Sequence, residues 1–336
     1  SFGETEVVLC VFPSHGSLFF HQLETLFCRL SLGDRVRVRL TEGSRSLDCA
    51  GPAIPPDGLG PTEKNLAWRA ALAYLEASGW NTGFSIEIDK QIPVGGGLGG
   101  GSADAGAVLR ALNAMAPAPL PTFHLLRLGS ALGADVPFLT QETSPLALAW
   151  GRGDRLMPLP PLPERPCLLF AFSTGVATAD AYRWLTEEPA EAARAIAYRP
   201  EQLSCWADVE LMAYNEFERV VLPRHAVIRG VVDGMRHPEI REVFPVTLMS
   251  GSGATVFALP AIDERPSRAV AAAMIGAGAL ALAGVAWVVR PRATPPAVID
   301  AAPAVAPDAG AVVGPGRALT ALGACANEPV FVDGTT

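Results

Sequence analysis

Residues 35 to 40 (RVRVRL) alternate strictly between basic and apolar side chains, the period of two that marks a strand with one face in the core. Phe84, Ile86 and Ile88 alternate with Ser85, Glu87 and Asp89 in the same way, and this second strand is delivered to Pro93. Between them, Glu63 to Ser78 carries Leu66, Ala70, Leu72 and Leu75 at helical spacing, with Gly79 placed to end the helix. After Pro93 comes PVGGGLGGGSADA, with six glycines in the seven positions from Gly95 to Gly101. From Ser102 the periodicity changes to a helix with Ala105, Val108, Leu109 and Leu112 on one stripe. The local unit is therefore strand, glycine loop, helix.

Further along, His124 to Leu132 reads as a helix stopped by Gly133, Cys167 to Phe172 as a buried strand, and Ala179 to Glu188 as a helix. Val246 to Leu259 gives two apolar runs around SGSGAT. The run PLPPLPERP (158 to 166) is the best linker candidate, which predicts one domain over 1–157 and a second over 167–290. Residues 291–336, rich in Ala, Pro and Gly, are expected to be a loosely attached tail. Ala269 to Val289 has no charge over 21 residues, long enough to span a bilayer. Its many alanines and interrupting glycines favour a short helix, a turn and a buried strand at Val285 to Arg290, so no membrane association is expected.

Composition narrows the classes. The chain has 336 residues, 49% hydrophobic and 18% charged, and a net charge of −8. An acidic chain with no basic cluster is not a nucleic-acid binder, because phosphate neutralisation needs a cationic face. Of the 26 basic residues two are lysines, Lys64 and Lys90, so 24 are arginines. The six cysteines (Cys10, Cys28, Cys49, Cys167, Cys205, Cys325) show neither C-x-x-C nor zinc spacing, which suits reduced thiols in a cytoplasmic protein. No signal peptide and no metal-ligand cluster is evident.

A glycine loop at a helix N-terminus presents backbone N–H groups and a favourable dipole to an anion, and phosphate is the obvious guest. A Walker A loop needs a Lys directly after its last glycine, and none is present. G-x-G-x-x-G is literally present at Gly95, Gly97 and Gly100, yet no Asp or Glu lies between Asp104 and Asp135 to take the ribose, which leaves a dinucleotide site weakly supported.

PVGGGLGGGSA resembles the P-x-x-x-G-L-G-x-x-S/A signature of the GHMP kinase superfamily, and the triple-glycine form resembles the branch that phosphorylates a cytidine-diphosphate-linked methylerythritol. HQLETLF (21–27), KNLAWRAA (64–71), LGADVPF (132–138), GVATADAY (175–182), YNEFE (214–218) and MSGSGATVFAL (249–259) resemble its other motifs in order. The resemblance implies an α+β fold with an N-terminal ATP-loop domain and a C-terminal ferredoxin-like domain. It implies ATP bound with Mg²⁺, a small-molecule substrate, and a monomer or weak homodimer. Pro93, Val94, Gly95, Gly96, Gly97, Leu98, Gly99, Gly100, Gly101, Ser102 and Ala103 would wrap the phosphates, with Asn65 near the adenine. Asp135 would accept the proton of the attacking hydroxyl, although a plain helix N-cap is a competing role for it. Phe20 and His21 would face the cytidine base, Thr178 would lie near the substrate, and Gly251 and Gly253 would form a second tight turn closing the cleft.

The N-terminus departs from the pattern. The superfamily branch begins A-K-[IV]-N-L, and counting back from His21 puts Thr5 at the Lys and Val7 at the Asn. Residues 4–19 also lack G-R-R-x-D-G. A cation near the Asp stabilises its ionised form and the transferred phosphoryl group. The expectation is therefore an active kinase using another cation such as Arg29, with a nucleotide-binding relative lacking kinase activity as the alternative.

Overall fold

The structure is a computed structural model, described over residues 2–13, 23–172, 174–188, 203–261 and 284–289. In chain order the elements are β1 (Phe2–Pro13), β2 (Leu23–Thr41), β3 (Arg45–Ala50), α1 (Leu66–Ser78), β4 (Gly83–Asp89), α2 (Gly100–Met115), α3 (Thr122–Leu132) and α4 (Val136–Thr140). There follow β5 (Leu146–Gly151), β6 (Arg155–Pro158), β7 (Cys167–Phe172), α5 (Thr178–Glu187), α6 (Trp206–Met212) and β8 (Tyr214–Asn215). The last described elements are α7 (Phe217–Val221), α8 (Ala226–Met235), α9 (Pro238–Arg241), β9 (Val246–Met249), β10 (Val256–Leu259) and β11 (Gly284–Val289).

The alternating segments pair with each other. Val36, Val38 and Leu40 of β2 lie opposite Ile88, Ile86 and Phe84 of β4, so both apolar faces point to one side. The result is a seven-stranded sheet in the order β3-β4-β2-β1-β8, with β5 pairing to the first part of β2 and carrying β6. Helices α1, α2 and α3 cover the apolar face, where Tyr74, Phe84, Ile86, Val108 and Leu112 are buried. Mixed sheets with helices on them agree with the α+β expectation.

The second sheet has four antiparallel strands in the order β11-β7-β10-β9. β9 and β10 are the two apolar runs around SGSGAT, and Val256 pairs with Met249. β11 supplies the strand expected near Val285, while residues 269–283 of the same apolar run lie outside the described residues. Leu159 to Pro166 carries no regular structure. Among the described residues no helix is long and apolar enough to cross a membrane. β8 belongs to the late part of the chain yet joins the first sheet, Asn215 pairing in parallel with Val11.

Two expected boundaries shift. The helix expected from Glu63 is split: Thr62–Lys64 is a 3-10 turn, and Asn65 caps α1 by accepting the Ala67 N–H at 2.9 Å. α2 starts at Gly100 rather than Ser102.

Candidate active site

β4 delivers the chain to Lys90, and the glycine loop runs from there to Gly99, the N-cap of α2. Gly95, Gly97 and Gly99 have φ of 73°, 73° and 65°, a region that side chains disfavour. The first bond of α2 is Ala103 N to Gly99 O at 2.8 Å. The N–H groups of Gly100, Gly101 and Ser102 therefore have no partner within the helix, and Gly99 has no side chain to cap them. These donors, with the helix dipole behind them, suit a phosphate.

Anion binding explains only some of the glycines. A Cβ on Gly97 would lie 2.5 Å from Ser250 O and 2.7 Å from Gly253 O, and one on Gly96 would meet Thr255 Oγ1 at 2.7 Å. The loop is packed against a second tight turn, Ser250–Thr255, between β9 and β10. Thr255 N donates to Gly96 O at 3.0 Å and Ser250 Oγ to Gly97 O at 2.9 Å. Gly175 also comes close, since a Cβ there would be 3.1 Å from Gly95 O. The structure thus brings Gly251 and Gly253 to the glycine loop. Thr178, the first residue of α5, reaches the same turn through a 3.0 Å hydroxyl contact with Ser252. At the other end of the loop, a Cβ on Gly101 would lie 3.7 Å from Leu66 Cδ1, which places the Asn65 cap near the start of α2.

The second turn is held by side chains of the YNEFE segment. Asn215 is buried and donates to Met249 O and Gly251 O at 2.7 and 2.8 Å. Glu218 accepts the Met249 N–H at 2.8 Å and pairs with Arg236 at 2.7 Å.

A buried ionic triad lies at the entry of the glycine loop. Lys90 Nζ donates to Asp34 Oδ2 and, at 2.7 Å, to Asp104 Oδ2. Asp34 Oδ1 accepts the backbone N–H groups of Gln91 and Ile92 at 2.6 and 2.8 Å. The triad therefore fixes the entry of the loop and ties it to α2 at its exit. Burial would depress the Lys90 ammonium, but Asp104 and Asp34 outweigh it and hold its pKa above the ordinary value. Burial pushes the Asp104 carboxyl up to about 7, against the pull of Lys90. Sequence reasoning missed this triad. The usable signal was the rarity of lysine, because an Arg-rich chain keeps a Lys at the strand end that feeds the loop.

Asp135 immediately precedes α4, with φ −83° and ψ −20°, and its side chain makes no capping bond to the helix. The competing N-cap role is thus not what the side chain does. Asp135 is half-buried. Its field reaches Tyr182 on α5, whose hydroxyl is pushed up to about 12 by burial and by the Asp135 charge together. Tyr182 packs edge-on against Phe217 at 4.9 Å and was not among the expected site residues. Arg29, the cation suggested as a stand-in for the missing Lys, donates from Nη2 to Phe138 O at 2.7 Å and to Gln141 O. Phe20 and His21 lie outside the described residues, and Thr5 falls where the β1–β2 register shifts. Among the described residues no group of three or more His, Cys, Asp or Glu could hold a metal ion.

Residues 65–142, which include the glycine loop, α2 and Asp135, match the model of the GHMP kinases N-terminal domain. The chain is 36% identical over 256 residues to a 4-diphosphocytidyl-2-C-methyl-D-erythritol kinase of Deinococcus radiodurans, covering 76% of this chain and 81% of that protein. It belongs to the 4-diphosphocytidyl-2-C-methyl-D-erythritol kinase family. A Thermus thermophilus kinase of the same name is 39% identical over 259 residues, covering 75% and 84% of the two chains. A crystal structure of a 4-(cytidine 5'-diphospho)-2C-methyl-D-erythritol kinase superposes with a TM-score of 0.64 at 33% identity, over 86% of this chain and 98% of that one. A mevalonate kinase from L. major shares the fold, with a TM-score of 0.60 at 15% identity over 90% and 96% of the two chains. For a member of this kinase family, the two glycine turns packed face to face and the Asp135 side chain not spent on a cap become the parts of the site to explain.

Proposed function

We propose that this chain is an ATP-dependent kinase that phosphorylates a hydroxyl of 4-diphosphocytidyl-2-C-methyl-D-erythritol in the non-mevalonate isoprenoid route. The family membership supports the reaction and substrate. The observation that carries the site is the glycine loop, whose left-handed glycines and three leading α2 amides form a cradle that side chains would fill.

In this reading Pro93 to Ala103 surround the ATP phosphates, and the α2 amides stabilise charge on the transferred group. Mg²⁺ accompanies ATP and neutralises phosphate charge, held through the nucleotide rather than by a protein cluster. Asp135 takes the hydroxyl proton as attack proceeds; a carboxylate is ionised at neutral pH and becomes more basic when partly desolvated. Gly251 and Gly253, braced by Asn215 and Glu218, close the phosphate loop from the far side. Thr178 and Tyr182 line α5 between that turn and Asp135. Phe20 and His21 are assigned to the cytidine base by resemblance, and Asn65 to the adenine end. We further propose a boundary at 158–166 between domains 1–157 and 167–290, with 291–336 as a tail, and a monomeric or weakly dimeric cytoplasmic enzyme.

The test is ATP consumption by purified protein supplied with the cytidine-diphosphate methylerythritol, with phosphorylated product identified by mass. Tight ATP binding without product would overturn the kinase reading. If product forms, Thr5→Lys is expected to raise turnover; an unchanged rate would show that position 5 does not face the reacting phosphate.

A further inference from the structure

The geometry points to Arg29 and Arg110 as a two-sided clamp that positions Asp135 relative to the phosphate loop. This rests on the reading of Asp135 as the base. α4 has five residues, far too few to be stable alone, and its last carbonyls have no partners within the helix. Two arginines supply them. Arg29, from β2, donates from Nη2 to Phe138 O and Gln141 O, while Arg110, from α2, donates from Nη1 to Leu139 O. Both are buried, at 1% and 7% exposure. Cations at this end also complement the helix dipole.

The two grips come from different elements, β2 and α2. The Arg29 guanidinium lies 5.3 Å from the Phe138 ring centroid, and Phe138 stacks on Phe27 of β2 at 5.1 Å, which locks α4 to the sheet. Arg110 sits on the helix whose N-terminus forms the phosphate cradle. One turn earlier on that helix a Cβ on Gly106 would be 2.7 Å from Leu139 O, so the backbones of α2 and α4 are in direct contact. α2 is therefore a single rigid element with the phosphate site at one end and a grip on the Asp135 helix further along. The spacing between phosphate and base is set by that grip. Arginine suits this role because its fork reaches carbonyls and its charge does not titrate.

The test uses the full-length protein with ATP and the cytidine substrate. Arg110→Met is expected to lower kcat by about 10- to 100-fold, the usual effect of an ångström of misplacement, while the Kd for ATP measured by calorimetry stays within about twofold. In an Asp135→Asn background the same substitution is expected to cost nothing further, because a misplaced base and an absent base are equivalent. Arg110→Lys and Arg29→Lys, which keep charge and lose the fork, are expected to show the same kcat-only pattern and serve if the Met variant does not fold. Unchanged kcat in these variants, with turnover still abolished by Asp135→Asn, would overturn the clamp and leave the base intact. Equal losses in both backgrounds would overturn it too, since that is general structural damage. Near-normal turnover of Asp135→Asn alone would instead remove the base.

Discussion

The two halves of the site are both held by buried cations, but against different partners. Under the phosphate loop, Lys90 is matched by two carboxylates, Asp34 and Asp104, and the balance depends on a proton because Asp104 is pushed up to about 7. Under α4, Arg29 and Arg110 donate to helix-end carbonyls, which carry partial charge and never titrate, and Arg110 also pairs with the exposed Glu142 at 3.5 Å. The glycine loop has no side chains with which to hold itself, so its ends are anchored from below by an ionic triad. α4 offers free carbonyls, so a fork that donates to carbonyls is enough. The comparison implies that ATP binding and proton abstraction can be damaged separately, and that the raised carboxyl of Asp104 couples the support of the first to pH.

The largest expected effect lies on the α4 side. Asp135→Asn should lower turnover by roughly 10² to 10⁴, the usual share of a general base, with ATP affinity unchanged because the triad is untouched. Steady-state kinetics with calorimetric ATP binding checks this, and a parallel loss of ATP affinity would show that the halves are not separable. On the loop side, Lys90→Met removes the cation between two buried carboxylates and should destabilise the fold by about 3–5 kcal/mol, read by denaturant unfolding. A loss under about 1 kcal/mol would mean that water or protons replace Lys90 readily and the loop is not anchored by charge.

The third expectation is a pH dependence with a definite sign. Asp104 has an ordinary pKa of 3.8 and a raised one in the fold, so between about 4 and about 7 the folded chain binds more protons than the unfolded chain. Its contribution is therefore fully present below the lower value and lost as pH rises through the upper one. Unfolding free energy measured across that window should fall, and Asp104→Asn should flatten the fall. A profile that is the same with and without Asp104 would place the proton elsewhere.

Much of the loop side was legible in the sequence because it is local. Alternation gave β2 and β4, glycines gave the loop, and two apolar runs gave β9 and β10 around SGSGAT. The start of α2 was misjudged by two residues because glycine has poor helix propensity. Tertiary contacts override it: a Cβ on Gly100 would lie 3.0 Å from Ile92 Cγ2, and Gly101 faces Leu66. The supports were not legible, since they join residues far apart in the chain. Lys90 meets Asp34 across 56 positions and Arg29 meets Phe138 across 109. Nor could periodicity show that β8 leaves the late part of the chain to pair with β1. The YNEFE segment was recognised as a motif, but its work of holding Met249 and Gly251 becomes visible when the turn is folded beside it.

The smallest expected effect sharpens the comparison by its contrast with Lys90, just past the end of the same strand. Glu87, three residues before it, also has two oppositely charged partners: Arg37 at 2.8 Å and Arg39. These side chains are exposed, at 38% for Glu87 and about half for each arginine. Hydrogen bonds from Arg37 and Arg39 hold the Glu87 carboxyl below its ordinary pKa, so whatever it contributes is present near neutral pH and lost as pH falls through that depressed value. Water screens such a cluster, and the long side chains lose rotamer freedom in forming it. Glu87→Gln should therefore cost no more than about 1 kcal/mol, vanish in high salt and leave both ATP affinity and turnover alone. A loss comparable to that of Lys90→Met, persisting in high salt, would show that burial is not what separates the triad from an ordinary surface cluster.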